Sequence, residues 1–140
     1  MASQNKWLSY LLWFGAVYHI LLGLVGIFAK GLVASLAKNF YNFNLTLDPQ
    51  TYWIINPLAA YMLIFGVFMA VTATSTTKYK SFVNVILALL VLRVIQRVFF
   101  ITTSPADLIN NVNPIKEWMD IGLVTAYAII VFVLSRKSKN

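Results

Sequence analysis

The chain has 140 residues, of which 60% are hydrophobic and only 11% charged; its mean hydropathy is +0.76, and a soluble domain carries roughly a quarter charged residues. It has no cysteine and one histidine, which excludes disulfides, covalent haem attachment, thiolate metal sites, iron–sulfur clusters, a thiol nucleophile and a multi-histidine metal centre. The net charge of +7 does not point to nucleic acid, because the basic residues flank apolar runs instead of forming a stripe, a pattern that reports topology and anionic lipid.

A helix that crosses a bilayer needs about 20 mostly apolar residues. Four stretches qualify, at approximately 7–29, 52–74, 82–101 and 115–134. The apolar part of the first is too long for a secretory signal, and "VAS" at 33–35 is a poor cleavage site placed late, so this stretch is read as a retained helix. The expected fold is all-α: an integral membrane four-helix bundle, with residues 1–140 as a single transmembrane domain.

Between the first and second spans, "GLVASLAKNF" at 31–40 reads as an amphipathic helix lying in the interface. Asn44-Leu45-Thr46 matches a glycosylation sequon, a triplet common by chance. The connection "STTKYK" at 75–80 is short, which predicts that the second and third spans are antiparallel neighbours. "SPADLI" at 104–109 reads as a second short helix, with Ser104 as N-cap, Pro105 at the first position and Asp107 in the first turn. Asn113-Pro114 then opens the fourth span. Both termini are expected on the cytoplasmic side, with the short interfacial helices on the outer side. That orientation puts Lys6, Lys78, Lys80, Arg136, Lys137 and Lys139 inside and only Lys30, Lys38 and Lys116 outside.

The third span contains the sequence's main anomaly. "ALLVLRVIQRVFFI" at 88–101 carries Arg93 and Arg97 four residues apart, on one helix face and about 6 Å apart along the axis. Facing lipid at mid-span, each would cost at least about 2.5–3.5 kcal/mol, and arginine cannot shed its proton to escape. Both are expected to face inward. The fourth span supplies Glu117 and Asp120, three apart and on one face, at a depth matching Arg97. The first span supplies His19 at mid-depth. Gly15, His19, Gly23 and Gly26 lie within about 80° of one another, a stripe of small residues that lets a neighbouring backbone approach and turns His19 inward. The second span adds Asn56 in its outer turn, with Tyr61 a secondary candidate, and Tyr127 shares the Asp120 side of the fourth.

His19, Asn56, Arg93, Arg97, Glu117, Asp120 and Tyr127 therefore form the candidate ligand-binding or buried polar cluster. Each also has a plain structural role: ion pairing for the arginines, hydrogen-bonded packing for His19, helix anchoring for Glu117, interhelical hydrogen bonding for Asn56 and Tyr127. No catalytic residue or metal site is assigned. The best functional reading is a non-enzymatic accessory or scaffold subunit of a membrane complex, or a bundle that binds a lipid or quinone. Arginine's planar donors suit such oxygens. The alternatives are a proton-coupled transporter, a quinone-linked oxidoreductase subunit, and a subunit holding haem or chlorophyll through His19. Expected partners are membrane lipids with other subunits or further copies of the chain.

Four spans, a glycine-bearing first span, and "NPLAAYMLIFGVFMA" at 56–70 followed by an arginine-bearing third span together resemble the small DoxX-like and BphX-like bacterial membrane proteins. The resemblance covers the architecture of most of the chain. It implies a bacterial inner-membrane protein, sometimes associated with quinone-linked or respiratory-type systems, and carries no catalytic residue onto any position here.

Overall fold

The computed structural model describes residues 6–104 and 113–137. Five α-helices follow one another: α1 (Lys6–Phe28), α2 (Lys30–Tyr41), α3 (Pro49–Thr74), α4 (Lys80–Thr103) and α5 (Pro114–Lys137), with no strand among the described residues. All but α2 are long and apolar enough to cross a membrane. Their bounds lie within about three residues of those expected from hydropathy, and local chemistry accounts for one of the differences. Helix α3 starts three residues early because Asp48 is its N-cap, accepting the Thr51 N–H at 2.7 Å, with Pro49 in the first turn. Pro57 lies inside α3 without ending it, leaving the Trp53 carbonyl without its helical donor.

The amphipathic helix expected at 31–40 is present as α2. It follows α1 after a bend at Ala29 (φ −130°, ψ 55°) and ends at Asn42, whose φ of 57° is a left-handed conformation that asparagine tolerates. Ser104 closes α4, its N–H bonded to the Phe100 carbonyl at 3.0 Å. The second short helix expected from Pro105, with Asp107, lies outside the described residues.

The most intimate packing is between α1 and α3. A Cβ at Gly23 would stand 2.7 Å from the Leu63 nitrogen, and one at Gly66 would stand 2.8 Å from the Ile20 nitrogen. The two backbones therefore touch at positions where no larger residue fits. The expectation that α3 and α4 are neighbours holds only near their loop. There Phe68 meets Phe82 at 5.0 Å and Tyr79 stacks on Phe82 at 5.4 Å; beyond that point the helices part. A short loop ties two helix ends together, but α3 pairs along its length with the helix that fits it, and the glycine stripe makes that helix α1.

Helices α4 and α5 form a second pair. The two pairs meet in the half nearest the α3–α4 loop, where Leu8, Leu12, Ala16, Met69, Ala73, Val83, Ile86, Leu90, Ala128 and Val131 make one buried apolar core. Two hydrogen bonds stitch α1 into this half: Ser9 Oγ donates to the Ala73 carbonyl at 2.6 Å and Tyr127 Oη to the Leu11 carbonyl at 2.8 Å. Toward the α2 end the apolar core gives way to charged side chains.

Asp48 caps α3 in a pH-dependent way. Its exposed carboxyl is held below the ordinary aspartate value, first by the Thr51 N–H. The cap is thus complete above the ordinary value and is lost as pH falls through the lowered one. In Asp48→Ala, amide exchange at residues 50–52 should quicken at neutral pH while exchange at the centre of α3 is unchanged.

Candidate functional site

Helices α4 and α5 run antiparallel, so Arg93 and Arg97, one turn apart on α4, face Asp120 and Glu117, about one turn apart on α5. Arg97 is the hub. Its Nη1 donates to Glu117 Oε2 at 2.6 Å, and its Nη2 lies 3.5 Å from Asp120 Oδ2. Arg93 Nη2 stands 3.9 Å from the same Asp120 oxygen, too far for a hydrogen bond. Two guanidinium groups and two carboxylates thus balance in charge, as expected for ionic groups among apolar helices. Glu117 is buried within the protein. Asp120 Oδ2 is buried and makes no hydrogen bond.

Tyr41, at the end of α2, joins this group, and the sequence reading missed it. The Asn113 N–H donates to the Tyr41 carbonyl at 2.9 Å and Lys116 Nζ to the Asn39 carbonyl at 2.8 Å, so the start of α5 holds the end of α2 against the ion pairs. Burial, and next the Asp120 carboxylate, push the Tyr41 phenol above its ordinary pKa. Its place at the close of an amphipathic stretch was the available signal, but nothing in the sequence said onto which helix that stretch folds.

On the other side of α4, where α3 and α4 part, an open groove of about 500 Å³ runs along the middle of the two helices. Tyr61, Phe65 and Phe68 of α3 and Leu89 and Leu90 of α4 line it, with two basic groups, His19 and Arg93. His19 forms part of the floor, flanked edge-on by Phe65 at 4.9 Å and Tyr18 at 5.3 Å. Its Nδ1 lies 2.8 Å from the Gly15 carbonyl, so neutral His19 carries its proton on Nδ1 and leaves Nε2 as an acceptor. Arg93 reaches both features, with Asp120 on one side and the groove on the other. Among the described residues it makes no hydrogen bond.

The structure thus brings Arg93, Arg97, Glu117 and Asp120 together, and His19 shares with Arg93 the lining of the groove. It separates the other two candidates. Asn56 lies on the exposed face of α3, with no hydrogen bond or ion pair to the cluster among the described residues. Tyr127 sits two turns from Asp120 along α5 and bonds α1. Its role is the interhelical tie and not a share in the polar cluster. Tyr61 is exposed at the groove's edge. No group of three His, Cys, Asp or Glu side chains able to hold a metal occurs among the described residues.

Compared with protein-family models, curated proteins and solved structures, the chain matches none.

Proposed function

We propose that this chain is a small integral membrane protein, non-enzymatic and of the DoxX-like type, that binds an oxygen-bearing amphiphile, a lipid or a quinone, in the groove between α3 and α4. In this reading α1, α3, α4 and α5 span a bacterial inner membrane as a four-helix bundle. The termini and the α3–α4 loop face the cytoplasm, as the excess of basic residues there favours, and α2 lies at the outer interface.

One observation carries the proposal. Arg93 has five N–H donors and uses none of them within the described protein, yet it lines a cleft whose other walls are almost wholly apolar. Charge alone does not satisfy a guanidinium in such a place; its donors need oxygens. A bilayer-soluble molecule bearing a carbonyl, ester or acidic head brings those oxygens and fills the apolar cleft with its tail. A pure scaffold role uses Arg97, Glu117 and Asp120 as structural ion pairs but leaves the groove and the Arg93 donors without a partner.

Native mass spectrometry after mild detergent extraction tests this. The wild-type protein should retain a bound amphiphile. Arg93→Gln should retain about tenfold less, the loss expected for one hydrogen bond to a charged donor. Equal retention by wild type and variant, or none by either, removes the binding site. A Soret band in the same sample would instead make His19 a haem ligand.

A further inference from the structure

Two independent features of the groove, the depth of its polar groups and the complementarity of their hydrogen bonding, narrow the ligand further. Both take the proposed amphiphile site as their starting point.

His19 lies about 20 Å along α1 from Lys6, and Arg93 about 20 Å along α4 from Lys80, at 1.5 Å per residue. Both helices start at the same end, so the two groups share one level. With Lys6 and Lys80 at the inner edge of the hydrocarbon layer of the proposed bilayer, about 30 Å thick, that level is within about 5 Å of its middle and about 10 Å short of the nearer headgroup region. A phospholipid keeps its phosphate at the headgroup level. Bringing that phosphate to Arg93 would drag a full charge into hydrocarbon. A ligand whose head is uncharged and dissolves in the bilayer core meets the two side chains where they are.

The second feature is the pairing of functions. Arg93 offers donors only. His19, with Nδ1 committed to the Gly15 carbonyl at 2.8 Å, offers an acceptor at Nε2. The complementary head presents an oxygen that accepts and a hydroxyl that donates on one compact ring, able to lie among Phe65, Tyr61 and Leu89. A quinone offers acceptors alone and leaves Nε2 unpaired. Its two-electron reduced form, the quinol, satisfies both sides. We infer that the α3–α4 groove is a mid-membrane site for a tailed quinol, with Arg93 donating to a ring oxygen and His19 Nε2 accepting from a ring hydroxyl, and that it holds the quinol in preference to the quinone.

The test uses the full-length protein in phosphatidylcholine nanodiscs under anaerobic conditions, labelled with a photoreactive azido-decylbenzoquinone. Labelled peptides are identified by mass spectrometry. The label should fall on α3 and α4 residues of the groove, and decylbenzoquinol should compete about tenfold more strongly than decylbenzoquinone, the effect of leaving one buried acceptor unpaired. His19→Phe should abolish that preference while labelling persists. Leu89→Trp fills the groove from its exposed wall without touching the ion pairs, so it should abolish labelling even if an Arg93 variant fails to fold. Equal competition by quinol and quinone, or a preference that survives His19→Phe, overturns the inference. Competition by phosphatidylglycerol but by neither ring compound also overturns it, and leaves the amphiphile site standing. Label spread over lipid-facing surfaces and untouched by any competitor removes both.

Discussion

Glu117→Leu should destabilise the protein by about 3 kcal/mol, the largest loss expected from any single side-chain change in the polar cluster. The variant removes the 2.6 Å partner of Arg97 and leaves a charge that cannot be neutralised by proton loss. Breaking a buried pair costs about 3–5 kcal/mol; the lower end applies because Arg97 keeps 27% of its side chain exposed and retains Asp120 at 3.5 Å. The double variant Arg97→Leu/Glu117→Leu should recover part of the loss, since two apolar side chains replace the pair without leaving a lone ion. Unfolding midpoints in mixed micelles read both effects. A Glu117→Leu protein as stable as wild type would mean that Arg97 is satisfied elsewhere, by water or lipid, and that the ion pair does not organise the α2 end.

The second large effect is steric. In Gly66→Ala the added carbon would stand 2.8 Å from the Ile20 nitrogen and 2.9 Å from the Ala16 carbonyl oxygen. These are backbone atoms, so no side-chain rotation relieves the contact, and α1 must move off α3. Overpacking of this kind costs about 1–3 kcal/mol. Gly122→Ala is the matched control: nothing lies within 4 Å of its added carbon, and alanine is the better helix former by about 1 kcal/mol. The two variants should therefore shift the melting temperature in opposite directions. Equal effects would show that α1 and α3 are not in backbone contact at Gly66.

Much of this architecture was legible from residue type and spacing. Hydropathy located the four long helices, and the amphipathic pattern at 31–40 located α2. The arginine–carboxylate pairing followed from one argument, that a guanidinium in hydrocarbon must find an anion and that helix spacing puts Glu117 and Asp120 at the right height. The glycine stripe marked a close helix contact and identified His19 as buried. What it did not reveal was the partner. In helices apolar on every face, polarity no longer distinguishes the packed face from the lipid-facing one. Polarity alone points Asn56 inward, yet it is exposed in the first turns of a long helix. The parting of α3 and α4 was invisible for a related reason. Loop length constrains only the ends of two helices, and the groove opens beyond them, from Phe68 and Val85 onward. Tyr41 was missed because its position depends on hydrogen bonds from Asn113 and Lys116 to the α2 backbone, contacts between segments that no periodicity relates.

Arg97 is consumed by Glu117 and Asp120 within the protein, whereas Arg93 makes no hydrogen bond among the described residues and, in the proposed function, offers its donors to a guest in the groove. A cryo-electron microscopy map of the protein extracted in native lipid nanodiscs tests this most directly. The account predicts elongated density between α3 and α4, with its polar end within hydrogen-bonding distance of the Arg93 guanidinium and level with His19. A map in which α3 lies flush against α4, or in which Arg93 hydrogen-bonds Asp120 as closely as Arg97 bonds Glu117 and the cleft holds no guest, would contradict it.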